Sequence, residues 1–485
     1  MFATNVGMGS IKDQSLTGFK WSAIGEVSTH GISFVLGLVI ARLLMPEDFG
    51  VIGMLAIFMA ISQQFVNCGF GNALIRKIDR TEEDLCTAFY FNIVVGLCAY
   101  GILFVAAPYM ADFFNTPVLK DVVRVLALTI IVHSLGIVPR ALRTIQVDFR
   151  SQAYASIISV IVSGGIGLYM AFSGYGVWAL VWQQVTGAIV SVCVIWWFAR
   201  WWPAWTYSWQ SFWSMFSYGS KLLASGLLHT IYRHASSLVI GKFYTPADLG
   251  FYDRGNRIAA LPSTNLSSVL HKVTFPILAQ YQEDNSRLLH VYHRYLAMTS
   301  MVIFFIMMLL AVVAKPLIGI LLTEKWLGAV PFLQVFCLAF MFDSVCNWNN
   351  NLMFVKGWSG LFFKLEVIKK IIVTPFLLLA IPFGVMAICF VAVIHTAVDI
   401  LCSTYYLRKL LGVELRPYGA LVRYFFLSLL ACMPAYFVCE LDVSPWLLLS
   451  VSITISTVLY LGLLRHDNNL KELFRIVSSL IPVRP

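Results

Sequence analysis

Charged side chains are scarce in this sequence. Asp, Glu, Lys and Arg make up 12% of the 485 residues, whereas hydrophobic residues make up 59%, and the mean hydropathy is +0.80. A chain of this size could not keep so apolar a surface in water, so a soluble globular protein is excluded. Apolar runs long enough to cross a bilayer recur from end to end, and we predict an all-α polytopic membrane protein with about fourteen spans.

Motifs of the common catalytic and metal sites are also missing. The sequence has no Cys-x-x-Cys pair, Gly-rich phosphate loop, His-Glu-x-x-His or nucleophile elbow. Its ten cysteines fall mostly within apolar runs and are interpreted as small apolar residues. We therefore expect no metal, no cofactor and no enzymatic activity. No predicted loop is long enough for an extramembrane domain, which argues against a receptor ectodomain.

Basic residues are distributed unevenly between the predicted loops. If the amino terminus is cytoplasmic, most of the 34 Lys and Arg residues lie in cytoplasmic segments. The opposite loops hold only Arg42, Lys120, Arg124, Lys242, Lys315 and Lys325. This asymmetry follows the positive-inside rule and predicts that both termini are cytoplasmic. It also accounts for the net charge of +10, so nucleic-acid binding is not expected. No cleavable signal peptide is expected, because residues 1–17 are mixed polar.

The sequence repeats itself at an offset of 200 residues. Segment 38–52 matches segment 238–252, and both contain the motif Pro-x-Asp-x-Gly. This motif is informative because apolar matches are common in any membrane protein. The offset predicts two parallel six-helix bundles with a cavity between them, an arrangement typical of secondary transporters.

The repeat also sets the predicted domain boundaries. Residues 200–212 are rich in tryptophan, which favours anchoring at the membrane interface over substrate stacking. We predict an N-terminal bundle over 1–199, an aromatic linker over 200–212, a second bundle over 213–411, and two further spans with a cytoplasmic tail over 412–485.

Polar residues inside the predicted spans indicate which helix faces look inward, because a lipid-facing charge costs at least a few kcal/mol. Thr29 and Ser33 lie 200 positions before His229 and Arg233, so the polar faces of the two halves coincide. We predict a polar cavity lined by Ser33, Gln63, Asn67, His229, Asn347 and Asn350.

Three arginines form the sharpest candidate site. A short turn between the seventh and eighth spans would place Arg233 and Arg257 at one depth, with Arg254 on the same face. Guanidinium groups suit phosphate oxygens, so the cluster predicts an anion site. The alternative is that Arg254 pairs with Asp253 or Asp248 and the others extend toward the interface.

Three carboxylates are placed well inside predicted spans. Glu26, Asp343 and Asp399 are candidates for coupling transport to an ion, since buried acids commonly serve transported ions. A packing role for each is the alternative. His395 lies one turn before Asp399 and could form a proton or cation relay with it, or a packing hydrogen bond.

Four segments resemble the polysaccharide transporter branch of the MOP flippase superfamily, and in particular its Wzx-type O-antigen and colanic-acid exporters. They are Gly18–Ala23, Ala41–Gly50, Gln146–Arg150 and Phe251–Arg257. The resemblance implies a two-bundle, V-shaped cavity working by alternating access, usually coupled to an ion gradient. It implies that a polyprenyl-diphosphate-linked oligosaccharide is flipped across the inner membrane of a bacterium.

The resemblance also implies roles for particular residues and partners. Arg254 and Arg257 match cavity arginines that bind the diphosphate, and Arg233 is added by its position. Expected partners are the lipid-linked oligosaccharide, membrane lipid, a coupling ion (H⁺ or Na⁺) and the polysaccharide polymerase machinery. Two alternatives stay open: a cation-coupled multidrug exporter of the same superfamily, and a membrane-embedded glycan transferase or polymerase.

Overall fold

The computed structural model describes residues 8–67, 69–413, 418–439, 441 and 443–480, and every regular element within them is helical. Eleven helical segments are long and apolar enough to cross a membrane. These observations confirm the predicted all-helical membrane fold. The chain divides into two compact units, Met1–Gly250 and Phe251–Pro485. The predicted boundary between repeats, at residues 200–212, stays a prediction.

The described residues of the first unit contain nine helices that lie entirely within it. They are α1 (Met8–Leu43), α2 (Pro46–Asn67), α3 (Phe70–Arg76), α4 (Glu82–Phe114), α5 (Leu119–Leu126), α6 (Leu128–Ile145), α7 (Phe149–Phe172), α8 (Val177–Ala199) and α9 (Trp209–Phe243).

The second unit contains most of α10 and the helices that follow. They are α10 (Pro246–Gln280), α11 (Asn285–Val312), α12 (Ala314–Leu322), α13 (Val330–Val355), α14 (Ser359–Ala380), α15 (Val385–Leu411), α16 (Tyr418–Cys439), α17 (Pro445–Leu464) and α18 (Asn468–Leu480). Short 3-10 turns precede α13 and α15.

The repeated motif builds the same turn twice. Before α2, the backbone N–H of Met45 donates to Asp48 Oδ2 at 3.0 Å. Before α10, the backbone N–H of Thr245 donates to Asp248 Oδ2 at 3.1 Å. In both cases the motif proline opens the helix, where its missing N–H costs nothing, and the aspartate caps the first turn. The sequence repeat is therefore also a repeat of local structure.

The motif glycines let the two helix starts touch through their backbones. A β-carbon on Gly50 would lie 1.7 Å from the carbonyl oxygen of Pro246, and one on Gly250 would lie 2.1 Å from that of Pro46. All four residues belong to the first unit. The reciprocal contact explains why the third motif position is glycine in both copies.

The aromatic linker packs on the first turns of α4. The Tyr90 hydroxyl donates to the carbonyl oxygen of Ala204 at 3.1 Å, and the Trp205 ring stacks on Tyr90 at 5.6 Å. The indoles of Trp202 and Trp205 are nevertheless 79% and 94% exposed. This exposure agrees with a membrane-interface position for the linker.

The eleven segments do not include α9, α10 or α14, three helices that the predicted count of fourteen spans includes. These helices have 35, 35 and 22 residues, so their length suffices to cross a bilayer. α14 carries four charged residues within positions 364–370, and α9 and α10 are rich in polar residues. A count of fourteen spans stays a prediction.

The last helices are tied to α11. The Tyr460 hydroxyl of α17 donates to the carbonyl oxygen of Met301 at 2.7 Å. Before α18, the buried Asp467 carboxylate accepts a hydrogen bond from Tyr424 at 3.1 Å, and Glu472 forms an ion pair with Arg294. The segment predicted as a cytoplasmic tail thus contains a docked helix.

Candidate functional site

The two arginines of α10 differ in their surroundings. Arg254 is half-buried, and its guanidinium lies 5.0 Å from the centre of the Trp326 indole ring, which is fully buried. Arg257, one turn later, is exposed. Arg233 is exposed on α9 of the first unit. The three-arginine anion site stays a prediction, to which the structure adds a cation–π contact for Arg254.

Asp248 already has partners in the turn before α10. Its carboxylate accepts hydrogen bonds from the Thr245 backbone and, at 2.6 Å, from the Thr245 hydroxyl. Its principal structural role is therefore to cap α10.

A break between α2 and α3 opens a cavity of about 430 Å³ in the first unit. Gly69 lies in the break with φ of 68°, and a β-carbon there would be 2.8 Å from the Cα of Gly219 on α9. The cavity is lined by Gln64, Asn67, Gly69, Gly71, Asn72, Ile137, Leu222 and Leu223. Of the predicted lining residues, Asn67 faces this cavity, whereas Gln63 is half-buried on α2 and does not line it.

A second cavity, of about 280 Å³, lies between α1 and α7. The polar face predicted on α1 lines it through Ser22, Glu26, Thr29 and His30, and α7 contributes Gln152 and Ser156. The ion-coupling candidate Glu26 therefore faces a polar cavity. Ser33 and His229 are exposed on α1 and α9.

Asp399 is paired with a buried lysine of α14 that was not among the predicted site residues. The Lys369 ammonium lies 2.9 Å from Asp399 Oδ1, and it also pairs with Glu366 one turn earlier. Only 2% of the Lys369 side chain is exposed. The available signal was a lysine three positions after a glutamate inside an otherwise apolar run.

Asp343 belongs to the same charged cluster. It interacts electrostatically with Asp399 and Lys369 and accepts a hydrogen bond from Asn347 Nδ2 at 3.3 Å. Two of the three ion-coupling candidates, together with the lining candidate Asn347, are thus brought together in the second unit. Asn350, on the next turn, is half-buried.

The buried amide of Asn349 links three helices nearby. Its Nδ2 donates to Ser403 Oγ at 2.7 Å, and its Oδ1 accepts from the Tyr292 hydroxyl at 2.5 Å. Asn349 was not among the predicted site residues, although its neighbours in the Asn-rich segment of α13 were. These bonds fix α13 against α11 and α15 beside the charged cluster.

Comparison with known proteins assigns the family. The family model described as polysaccharide biosynthesis protein matches residues 39–331. The chain belongs to this family. The teichuronic acid biosynthesis protein TuaB of Bacillus subtilis is 25% identical over 73% of this chain and 74% of its own. The lipopolysaccharide biosynthesis protein WzxC of Escherichia coli is 24% identical over 76% of this chain and 75% of its own.

Solved structures share the fold. The lipid II flippase MurJ in an inward closed conformation aligns with a TM-score of 0.73 at 13% identity, covering 94% of this chain and all of MurJ (100%). An inward-facing MATE-family multidrug transporter of the MOP superfamily aligns with a TM-score of 0.59 at 13% identity, covering 81% of this chain and 99% of its own. This polysaccharide biosynthesis protein therefore has the MOP fold.

The family match spans only part of the candidate site. Residues 39–331 include both Pro-x-Asp-x-Gly turns, the three arginines and the cavity at the α2–α3 break. Asp343, Lys369 and Asp399 lie beyond the matched region. The evidence for the charged cluster therefore comes from the structure of this chain, because the family match does not extend to these residues.

Proposed function

We propose that this protein flips a polyprenyl-diphosphate-linked oligosaccharide across the bacterial inner membrane for surface polysaccharide biosynthesis. The observation that carries the proposal is membership of the polysaccharide biosynthesis family on an all-helical membrane fold. It is supported by the names of relatives, which include a succinoglycan biosynthesis transport protein of Rhizobium meliloti, and by the fold shared with a lipid II flippase.

In the proposed mechanism, protein groups replace water around the diphosphate. Carrying this group bare through hydrocarbon is prohibitive, because an unpaired charge loses its hydration there. Arg233, Arg254 and Arg257 would neutralise it through charge-assisted hydrogen bonds. The polyprenyl tail stays in lipid, and alternating access moves the head group from the cytoplasmic to the outer face. No covalent bond is made or broken, so we propose a transporter and not an enzyme.

We further propose that ion coupling involves the cluster of Asp343, Lys369, Glu366 and Asp399. One buried ammonium cannot neutralise three ionised carboxylates, so the net charge of the cluster depends on the protonation state of each acid. Binding H⁺ or Na⁺ at Asp343 or Asp399 would change the pairing of Lys369 and with it the packing of α14 on α15. Glu26, in the α1–α7 cavity, is the second candidate.

The alternatives are a cation-coupled multidrug exporter and a membrane glycan transferase or polymerase. The shared MATE fold favours the first only at the level of architecture. Arg254 and Arg257 lie within electrostatic reach of each other, and such a pair favours an anionic substrate over a cationic drug. We also propose contact with the polysaccharide polymerase machinery, because a flippase of this kind would supply the polymerase with its lipid-linked substrate.

The proposal is tested by deleting the gene in its host. A flippase should leave lipid-linked oligosaccharide on the cytoplasmic face, where spheroplasts protect it from an added periplasmic glycosidase, and surface polymer should disappear. Plasmid-borne protein is the control. Normal surface polymer with increased sensitivity to cationic drugs would replace this proposal with the exporter. Precursor that reaches the outer face but stays unpolymerised would replace it with the polymerase.

A further inference from the structure

We infer that the cavity at the α2–α3 break is a carbohydrate subsite for the sugar portion of the transported lipid. The inference rests on the proposed function and deepens it. Its starting point is the composition of the cavity wall, where three amide side chains, Gln64, Asn67 and Asn72, meet two glycines and three aliphatic side chains. None of the lining residues carries a charge, so this cavity suits a neutral polar ligand.

Amides suit sugar hydroxyl groups because each amide presents both donors and an acceptor. Within the described residues, the side chains of Gln64, Asn67 and Asn72 form no hydrogen bond with the protein. Their hydrogen-bonding groups are therefore available to a ligand in the cavity. Ile137, Leu222 and Leu223 supply apolar contact for the C–H face of a pyranose ring.

The backbone break places the amides around the cavity. Gln64 and Asn67 lie one turn apart at the end of α2, and Asn72 lies in the first turn of α3. Gly69, with φ of 68° against the backbone of Gly219, redirects the chain between them. At 100° per residue, an unbroken helix would place Asn72 about 140° around its axis from Asn67 and about 80° from Gln64. Asn72 would then lie off the face that carries the other two amides.

The α9 wall leaves space for the Gln64 amide. A β-carbon on Gly226 would lie 2.8 Å from Gln64 Oε1, so glycine permits the position that this amide now occupies. The cavity volume of about 430 Å³ lies within the roughly 300–1,000 Å³ typical of small-molecule sites. With the predicted topology, this end of α2 is the cytoplasmic end, where the sugar would be loaded.

The test uses full-length protein in detergent and three probes. They are lipid-linked oligosaccharide extracted from cells lacking the protein, the free oligosaccharide released from it by mild acid, and polyprenyl diphosphate without sugar. We expect Gln64→Leu/Asn67→Leu to weaken binding of the free oligosaccharide roughly tenfold or more, because two hydrogen bonds are lost. Binding of the sugar-free diphosphate should change less than twofold. Gln184→Leu, an exposed amide of α8, is the matched control.

Two further variants separate recognition from folding. Asn72→Ala removes an exposed amide, and Gly226→Ala displaces the Gln64 amide without deleting a lining group. Both should weaken oligosaccharide binding while the melting temperature stays within a few degrees of the parent. If all variants bind the oligosaccharide as the parent does, or lose both probes equally, the subsite is wrong. If the parent protein binds neither the extracted lipid nor the diphosphate, the proposed function itself fails.

Discussion

Arg254 and Arg257 lie one turn apart on α10, but their environments differ, so mutating them should affect ligand binding and packing to different extents. Arg257 is exposed, whereas Arg254 is half-buried against the Trp326 ring. Replacing Arg257 should therefore affect ligand binding alone. Replacing Arg254 should also remove a packing contact, because a cation–π pair of this kind contributes about 0.5–2 kcal/mol.

The first prediction concerns these arginines. Arg257→Ala should weaken binding of polyprenyl diphosphate roughly ten- to a hundredfold, since a charge-assisted hydrogen bond contributes about 1.5–3 kcal/mol. Its melting temperature should match the parent, while Arg254→Ala should lower it. Arg257→Lys should rescue only partly, because the charge stays but the fork is lost. Binding is measured with polyprenyl diphosphate, and transport is measured as flipping at matched membrane abundance. Parental flipping rates in both alanine variants would exclude the anion site.

The second prediction concerns the ion pair of Lys369 and Asp399. Asp399→Asn should lower stability, by less than the about 3–5 kcal/mol expected when a buried charge loses its only partner, because Lys369 keeps its ion pair with Glu366. The double variant Lys369→Met/Asp399→Asn removes both charges and should regain most of that loss. If the pair also serves coupling, the double variant should fold well but show flipping that no longer depends on pH or Na⁺.

Thermal denaturation and flipping under imposed ion gradients distinguish the two roles. Lys364→Met, which removes an exposed lysine of α14 outside the cluster, is a suitable control. A stable double variant with normal ion dependence would reduce the cluster to a packing role and leave Glu26 as the remaining candidate.

At the scale of elements, the crossing of α2 and α10 depends on two glycines. The third prediction is that Gly50→Ala strongly reduces abundance and melting temperature, because its β-carbon would lie 1.7 Å from the carbonyl oxygen of Pro246. Backbone at such a distance must shift, and overpacking of this kind costs about 1–3 kcal/mol or more. Gly250→Ala should behave similarly, given its 2.1 Å approach to Pro46.

The matched control for the crossing is Gly31→Ala. No heavy atom lies within 4 Å of a β-carbon built there, and alanine favours a helix over glycine by about 1 kcal/mol. This variant should be neutral or slightly stabilising. Equal melting temperatures for the Gly50 and Gly31 variants would show that the reciprocal contact does not constrain the fold.

At the scale of the whole molecule, the distribution of basic residues makes a fourth prediction. Asp79→Cys, in the loop before α4, should react with a membrane-impermeant thiol reagent only after the cells are opened. Lys120→Cys, beyond the end of α4, should react in intact cells. The 33 residues of α4 extend about 50 Å at 1.5 Å per residue, enough to separate the two positions across a bilayer.

Both labelling positions are exposed, and both avoid Asn115, whose φ of 52° disfavours cysteine. The parent protein is the control, because its labelling gives the background reactivity of the native cysteines. Labelling of position 79 in intact cells, with none at position 120, would reverse the predicted orientation and place the carbohydrate subsite at the outer face.

The sequence by itself determined the class of this protein and the local form of its repeated turn. Hydropathy is a sum over neighbouring residues, so it predicts membrane helices without knowledge of their packing. The motif Pro-x-Asp-x-Gly likewise acts within one turn, through a missing N–H and a capping carboxylate. For the same reason the polar face of α1 could be read from helical spacing.

Tertiary structure alone decided which polar groups meet. Lys369 and Asp399 are 30 positions apart on different helices, and only the packing of α14 against α15 brings them within 2.9 Å. The Gly50–Pro246 contact and the cavity at the α2–α3 break likewise join segments far apart in the chain. Ion pairs, backbone crossings and cavities depend on distances between helices, and helical periodicity contains no information about those distances.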